Sequence, residues 1–222
     1  MKPFLLSMFS ALTAFFTTAF LAHAAPISLE TDGHPTIGYP KAPVQVVAFL
    51  EPKCPDSKKY NNNVFPKIEE EFINTNKIRY TVIPVSFLPN SMTAAIALLC
   101  VDFQDANYPN HDLFFKYLNY LYLHQPPEKD NWATIPTLQD FAAHTSRAIR
   151  LEQLKECLEK EHYRIQIEKN TAYGNRIMSG HLSTPTIYVD GIKVENTDDT
   201  VDYDKLKNAI QSALQAKQDQ KK

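Results

Sequence analysis

Cys54 follows the apolar run Val44 to Leu50 (VQVVAFL) after a three-residue gap and stands directly before Pro55, a placement that gives its thiol a chemistry. Such a run reads as a strand buried on both faces, and proline is favoured at the first helical position, so the thiol lies where a strand hands over to a helix. Unpaired NH groups and the helix dipole at that point favour the thiolate, which is the nucleophile. Lys53, Lys58 and Lys59 push the same way, and Asp56 opposes them. Polar and charged neighbours argue against a cysteine that is merely a small buried hydrophobe, and a reactive one is expected to be accessible. Glu51, three residues earlier, is either a partly buried carboxylate that passes a proton to the thiol or an exposed loop acid. Ser57, three residues later, either donates a hydrogen bond to the Cys54 thiolate or is an ordinary polar residue of a first helical turn.

The compartment follows from the start of the chain. Lys2, the apolar stretch from Phe4 to Leu21 and the small-residue pattern Ala22, His23, Ala24 read as an export signal cleaved after Ala24, the alternative being an uncleaved membrane anchor, since an apolar run of 18 residues is near the minimum for a span. Removing those 24 residues from 222 leaves 198, enough for one large domain with its own core. The formal charge of -2 becomes -3 with the loss of Lys2, and the charges are interspersed, so nucleic acid is not an expected partner. No membrane association is expected after cleavage. Three cysteines in an exported chain is an odd number, so at least one thiol is free, paired between chains, or reactive. The histidines are scattered, without metal-ligand spacing, and neither a metal nor another cofactor is called for.

The elements that must position Cys54 can be read outward from it. A lead containing Pro35, Gly38, Pro40 and Pro43 suits an irregular or edge segment. After Ser57 comes a helix with Val64 or Phe65, Ile68 and Phe72 at helical spacing, kinked by Pro66. Ile78 to Val85 (IRYTVIPV) is a second strand, and a right-handed crossover makes it a parallel neighbour of the first. From Ser91 to about Ile177 the pattern is helical: Met92, Ile96, Leu99 and Phe103 share one face, Phe114, Tyr117, Leu118 and Leu121 another, and Leu151, Leu154 and Leu158 a third. Thr186 to Val189 resumes the sheet, Asp190-Gly191 turns it into a hairpin returning through Ile192 to Val194, and a last helix carries Tyr203, Leu206, Ile210 and Leu214.

Two stretches carry a family resemblance. Gly38 to Phe72, GYPKAPVQVVAFLEPKCPDSKKYNNNVFPKIEEEF, resembles the active-site region of DsbA-like thiol-disulfide oxidoreductases, and STPTIYVDG, Ser183 to Gly191, is similar to their cis-proline loop and following hairpin. The helical block falls where that family inserts helices. The resemblance implies an α/β thioredoxin fold with an inserted helical domain: core at 25–90 and 178–216, helical block at 91–177, charged tail at 217–222 after the signal at 1–24. It also implies Cys54 as nucleophile, a cis bond before Pro185, and a substrate lying against Pro55, Asp56, Thr184 and Pro185. Cysteines near positions 100 and 157 occur in some members, which makes a Cys100–Cys157 bridge one outcome and two buried free thiols the other.

CPDS departs from the family's Cys-Pro-x-Cys, because Ser57 cannot close the internal disulfide that a dithiol oxidant donates. What remains is monothiol exchange with disulfide-containing exported proteins or peptides: reduction, isomerisation or mixed-disulfide capture, with an external thiol releasing the intermediate. The competing reading is a redox-inactive peptide-binding protein or chaperone that keeps the groove. Either would work in the periplasm or another extracytoplasmic part of the cell envelope, in an oligomeric state that the sequence leaves open.

Overall fold

A computed structural model describes residues 25–105, 107–195 and 201–220. The export signal lies outside the described residues, as does the end of the charged tail. Five strands form one sheet in the order β1-β3-β2-β4-β5: β1 (Thr36–Gly38), β2 (Val44–Leu50), β3 (Ile78–Pro84), β4 (Thr186–Val189) and β5 (Ile192–Lys193). β2 and β3 run parallel, from Val44 opposite Ile78 to Leu50 opposite Pro84, while the other pairs are antiparallel. The proline-rich lead thus supplies an edge strand, where missing NH donors cost least. Asp190 and Gly191 both have positive φ, as a two-residue hairpin of this type requires. A Cβ on Gly191 would lie 2.0 Å from the Ile27 carbonyl, so the N-terminal segment packs there only because no side chain intervenes.

Strand β2 is buried on both sides because each face has its own cover. Val44, Val46, Ala48 and Leu50 join a large core with Tyr60, Phe65, Ile68, Leu206 and Ile210, while Val47 and Phe49 join a smaller one with Ile83, Val85, Tyr173 and Tyr188. The period-2 alternation of a strand divides these residues between the two.

The first helix differs from expectation. Instead of one kinked helix, α1 (Pro55–Asn63) breaks at Val64, α2 (Phe65–Ile68) follows, and a π-helical turn spans Glu69–Ile73. Pro66 has no NH for the carbonyl of Asn62, so the α-helical ladder cannot pass through it. The wider turn leaves both Phe72 and Ile73 buried.

Between β3 and β4 lie α3 (Met92–Asp102), α4 (His111–His124), α5 (Ile135–Thr145), α6 (Leu151–Glu159) and α7 (Arg164–Ile177). The one-sided face expected for α3 understates its burial: Ala94 to Asp102 are all buried, because α4, α5, α6 and α7 each pack against it. Asn110 caps α4 by accepting from Leu113 N at 3.0 Å, and Pro136 opens the first turn of α5. The final helix, α8 (Tyr203–Asp219), runs past the expected start of the tail, and Lys217 Nζ lies 3.2 Å from Asp190 Oδ2 at the hairpin turn.

Cys100 of α3 and Cys157 of α6 are joined by a disulfide across 57 residues of sequence. Closing a loop of that length in the unfolded chain is the main source of a disulfide's stabilisation. The Cys100→Ala/Cys157→Ala double variant is expected to fold but to lose about 2–4 kcal/mol in urea unfolding, and a loss below ~1 kcal/mol would show that the helical packing alone holds α3 to α6.

Candidate active site around Cys54

β2 ends at Leu50, whose carbonyl is taken by Val85 N at 3.0 Å, and the chain then leaves the sheet. Cys54 occupies the N-cap of α1 with Pro55 as the first helical residue. It is the free cysteine among the described residues and is 8% exposed. Its Sγ donates to the Thr184 carbonyl at 3.2 Å, and the Thr184–Pro185 peptide bond is cis. Two segments 130 residues apart therefore meet at the sulfur. The expected accessibility is reduced to a narrow exposed edge, because the cis-proline loop covers the thiol.

The three lysines do not form a cationic cluster on the sulfur. Lys53 is buried, with Nζ donating to the carbonyls of Pro89 at 2.9 Å and Asp130 at 3.1 Å. Lys58 Nζ donates to the Gln125 carbonyl at 2.8 Å, and Lys59 pairs with Asp56 at 2.8 Å on the surface. An exposed pair of that kind contributes little to stability. Asp56 and Pro55 lie at the outer rim, with Pro55 exposed.

Glu51 is fully buried, which overturns the exposed-loop alternative. Burial pushes its carboxyl up to about 7, with the Ser91 hydroxyl, the Lys53 and Cys54 NH groups and the Lys53 charge pulling the other way. Oε2 accepts from Lys53 N at 2.7 Å, while Oε1 meets no donor in hydrogen-bond geometry. Ser91 Oγ is itself engaged with Ser86 Oγ at 2.7 Å. Ser57 is also fully buried, and its Oγ accepts from Glu51 N at 3.4 Å. The hydrogen bond at Cys54 Sγ goes to Thr184 rather than to Ser57, and Thr184 Oγ1 is another buried oxygen without a partner.

Sequence reasoning missed the groups that fix this loop from the helical insertion. Tyr122 OH donates to the Glu51 carbonyl at 3.0 Å, and Gln125 Nε2 donates to the carbonyls of Pro52 at 2.7 Å and Cys54 at 3.4 Å. Tyr122 reads as a core residue and Gln125 as the polar end of a helix before Pro126. Neither carries a local signal of what it touches. No group of three or more metal-ligating side chains occurs among the described residues. No helix among them is long and apolar enough to cross a membrane.

Comparison with known proteins agrees with this geometry. The family model described as Thioredoxin matches residues 30–212. The chain is 34% identical to disulfide bond formation protein D of Bacillus subtilis over 186 residues, covering 83% of this chain and 79% of the relative. It is 25% identical to a putative protein-disulfide oxidoreductase of Rickettsia prowazekii, over 82% of this chain and 62% of that one. Among solved structures, Chlamydia trachomatis DsbA superposes with a TM-score of 0.77 at 30% identity, covering 87% of this chain and 97% of that one. Oxidised BdbD from Bacillus subtilis gives 0.76 at 34%, covering 87% and 99%.

The buried carboxyl makes a pH prediction. Because the folded state holds the Glu51 proton up to about 7 and an unfolded carboxyl releases it near its ordinary 4.5, folding is weakened as pH rises between those values. Glu51→Gln should remove from the urea-unfolding pH profile a decline on the order of 3 kcal/mol across that window, and unchanged slopes in parent and variant would mean that the carboxyl is not held protonated.

Proposed function

The chain belongs to the thioredoxin family and, within it, to the DsbA-like thiol-disulfide oxidoreductases; from that premise we propose that it works with one thiol, Cys54, and not as a dithiol oxidase. The observation that carries the reading is the pairing of Cys54 with the Thr184 carbonyl beside a cis proline, while a buried Ser57 fills the position of a second sulfur.

The reaction divides into two exchanges. The Cys54 thiol gives up its proton, and its sulfur attacks one sulfur of a substrate disulfide. A Cys54–substrate disulfide forms, the substrate's own S–S bond breaks, and the departing thiolate takes up a proton. A thiol from outside, or a second thiol of the same substrate, then attacks the mixed disulfide and releases Cys54. An outside thiol that releases Cys54 stays bound to the substrate as a mixed disulfide, and a second equivalent of it then displaces the reduced substrate and leaves as the oxidised outside disulfide, which is net reduction. An internal thiol gives isomerisation instead. Ser57 can neither close a disulfide nor resolve one, so no oxidising equivalent is stored.

Glu51 serves as the proton carrier beneath this site. A carboxyl lifted to about 7 exists in both forms near neutral pH, which is the condition for accepting and returning a proton. Thr184 serves as the substrate platform: its carbonyl holds the thiol only while the sulfur is protonated, and it becomes free for a substrate NH when Cys54 reacts. Pro55 and Asp56 border the same opening. The segment at Phe4 to Ala24 supports export, so the substrates are disulfide-containing proteins or peptides of the periplasm or cell envelope.

A peptide-binding protein without turnover is the second reading, favoured by the 8% exposure of Cys54. Intact mass after incubation with a peptide disulfide separates the two. The parent should stop at one Cys54–peptide adduct that an added thiol clears, and Cys54→Ser should form none. A Cys54 that stays unmodified until the protein is denatured, with peptide binding retained in Cys54→Ser, would establish the binder. Ser57→Cys should gain an internal disulfide and accelerate oxidation of a reduced unfolded protein, which the parent does not. Equal oxidation by both would sink the monothiol assignment.

A further inference from the structure

The two sulfurs of the Cys100–Cys157 bridge have unlike surroundings. Cys100 is 3% exposed within α3, whereas Cys157 is half-buried on the flank of α6, turned aside from the buried Leu154 and Leu158. Both cysteines line a cavity of about 240 Å3. Phe103 and Tyr163, with ring centroids 5.5 Å apart, give it an apolar side. Glu156, Lys160 and His162 also line it, and all three are exposed, so the cavity reaches the surface through charged and polar groups. Lys160 Nζ pairs with Glu156 Oε1, and His162 N donates to the Cys157 carbonyl at 3.0 Å, which holds this rim against the sulfur. A disulfide that served only as a staple would need no such opening.

At about 240 Å3 the cavity is smaller than the roughly 300–1,000 Å3 of pockets for drug-sized ligands, so it admits a molecule of amino-acid size and excludes a protein loop. We propose that the bridge is a second exchange site, opened in the folded protein by a small zwitterionic thiol that enters this cavity. Lys160 and His162 receive its carboxylate, and Glu156 receives its ammonium group. Its thiolate attacks Cys157 Sγ, the more accessible sulfur. A bond forms between the two, the Cys100–Cys157 bond breaks, and the departing Cys100 sulfur takes up the proton that the attacking thiol gave off, because burial disfavours a thiolate there. Cys100 can attack the adduct and close the bridge again. A second molecule of the same thiol instead displaces Cys157 as a thiol and leaves as the symmetrical disulfide. Two small thiols are then oxidised and the bridge is reduced to two cysteine thiols. The two-electron store that Ser57 denies to the Cys54 site therefore exists between α3 and α6. Nothing in this inference depends on the reactivity of Cys54.

The test uses Cys54→Ser, in which Cys100 and Cys157 are the remaining cysteines. L-cysteine or mercaptoethanol is added without urea, free thiols are trapped by alkylation at intervals, and intact mass gives the fraction of opened bridges. Opening should rise with thiol concentration, stay constant as urea is added below the unfolding transition, and yield one cystine per bridge. A bridge reached only through global unfolding would open faster with every increment of urea, and that result would overturn the proposal. At equal thiolate concentration L-cysteine should act about tenfold faster than mercaptoethanol, the effect of one charge-assisted contact to its head group. Lys160→Glu, at an exposed position, should bring that ratio close to one. Equal rates for the two thiols in the parent would overturn the cavity's part in choosing the thiol.

Discussion

The carbonyls of Glu51, Pro52 and Cys54 set the terms for the rest of the site. Once the chain leaves β2 these oxygens have no sheet partner, and burying them unpaired would cost on the order of 1–3 kcal/mol each. The Glu51 and Cys54 carbonyls accept from Cys54 N and Lys58 N, each at 3.1 Å, and from the end of α4 Tyr122 OH adds a second bond to Glu51 while Gln125 Nε2 takes the Pro52 carbonyl at 2.7 Å and reaches that of Cys54 at 3.4 Å. The helical insertion therefore completes the backbone of the active-site loop and cannot be regarded as a separate attachment. α4 packs on α3, and the Cys100–Cys157 bridge fastens α3 to α6, so the loop's geometry is secured several contacts away from the sulfur.

The electrostatics follow from that enclosure. A buried ammonium needs acceptors, and Lys53 finds them in two backbone carbonyls, Pro89 from the β3–α3 connection and Asp130 from the α4–α5 connection. Its NH, not its charge, makes the short contact to Glu51 Oε2. Glu51 is thereby left with a favourable but insufficient set of partners, and burial wins: its carboxyl rises to about 7. A direct ion pair with the Lys53 ammonium would have favoured the ionised form instead.

What the sequence made legible is what local pattern determines. The run VQVVAFL, the Asp190-Gly191 turn, the Pro55 helix start and the period of α8 each contain their own signal within a few residues. The break at Val64 was half legible: Pro66 announced an interruption, but whether a kink or a π turn follows depends on which of Phe72 and Ile73 the core must accept. For Glu51 the sequence left burial and exposure both open, and Lys53, Tyr122 and Gln125 were illegible in their roles, because burial is a property of the assembled layers. A Glu and a Lys flanking a cysteine look like solvated loop charges until the insertion closes over them. The disulfide was left open for the same reason, since only the packing of α3 against α6 brings its cysteines together.

Ser57 shows why losing one sulfur need not dismantle such a site. Its hydroxyl is fully buried and accepts from the Glu51 NH, a long bond at 3.4 Å that a thiol, a weaker acceptor, would serve less well. Position 57 thus contributes to the loop's hydrogen bonding without contributing to redox storage. The Cys54 thiol, its contact to the cis-proline loop, the buried acid and the helix N-terminus depend on other residues. On the one-thiol reading proposed above, release of a mixed disulfide falls to an external thiol. A second cysteine one helical turn away would resolve a mixed disulfide at a high effective concentration, whereas an external thiol must find it by collision. On that reading, the consequence is a longer-lived covalent complex.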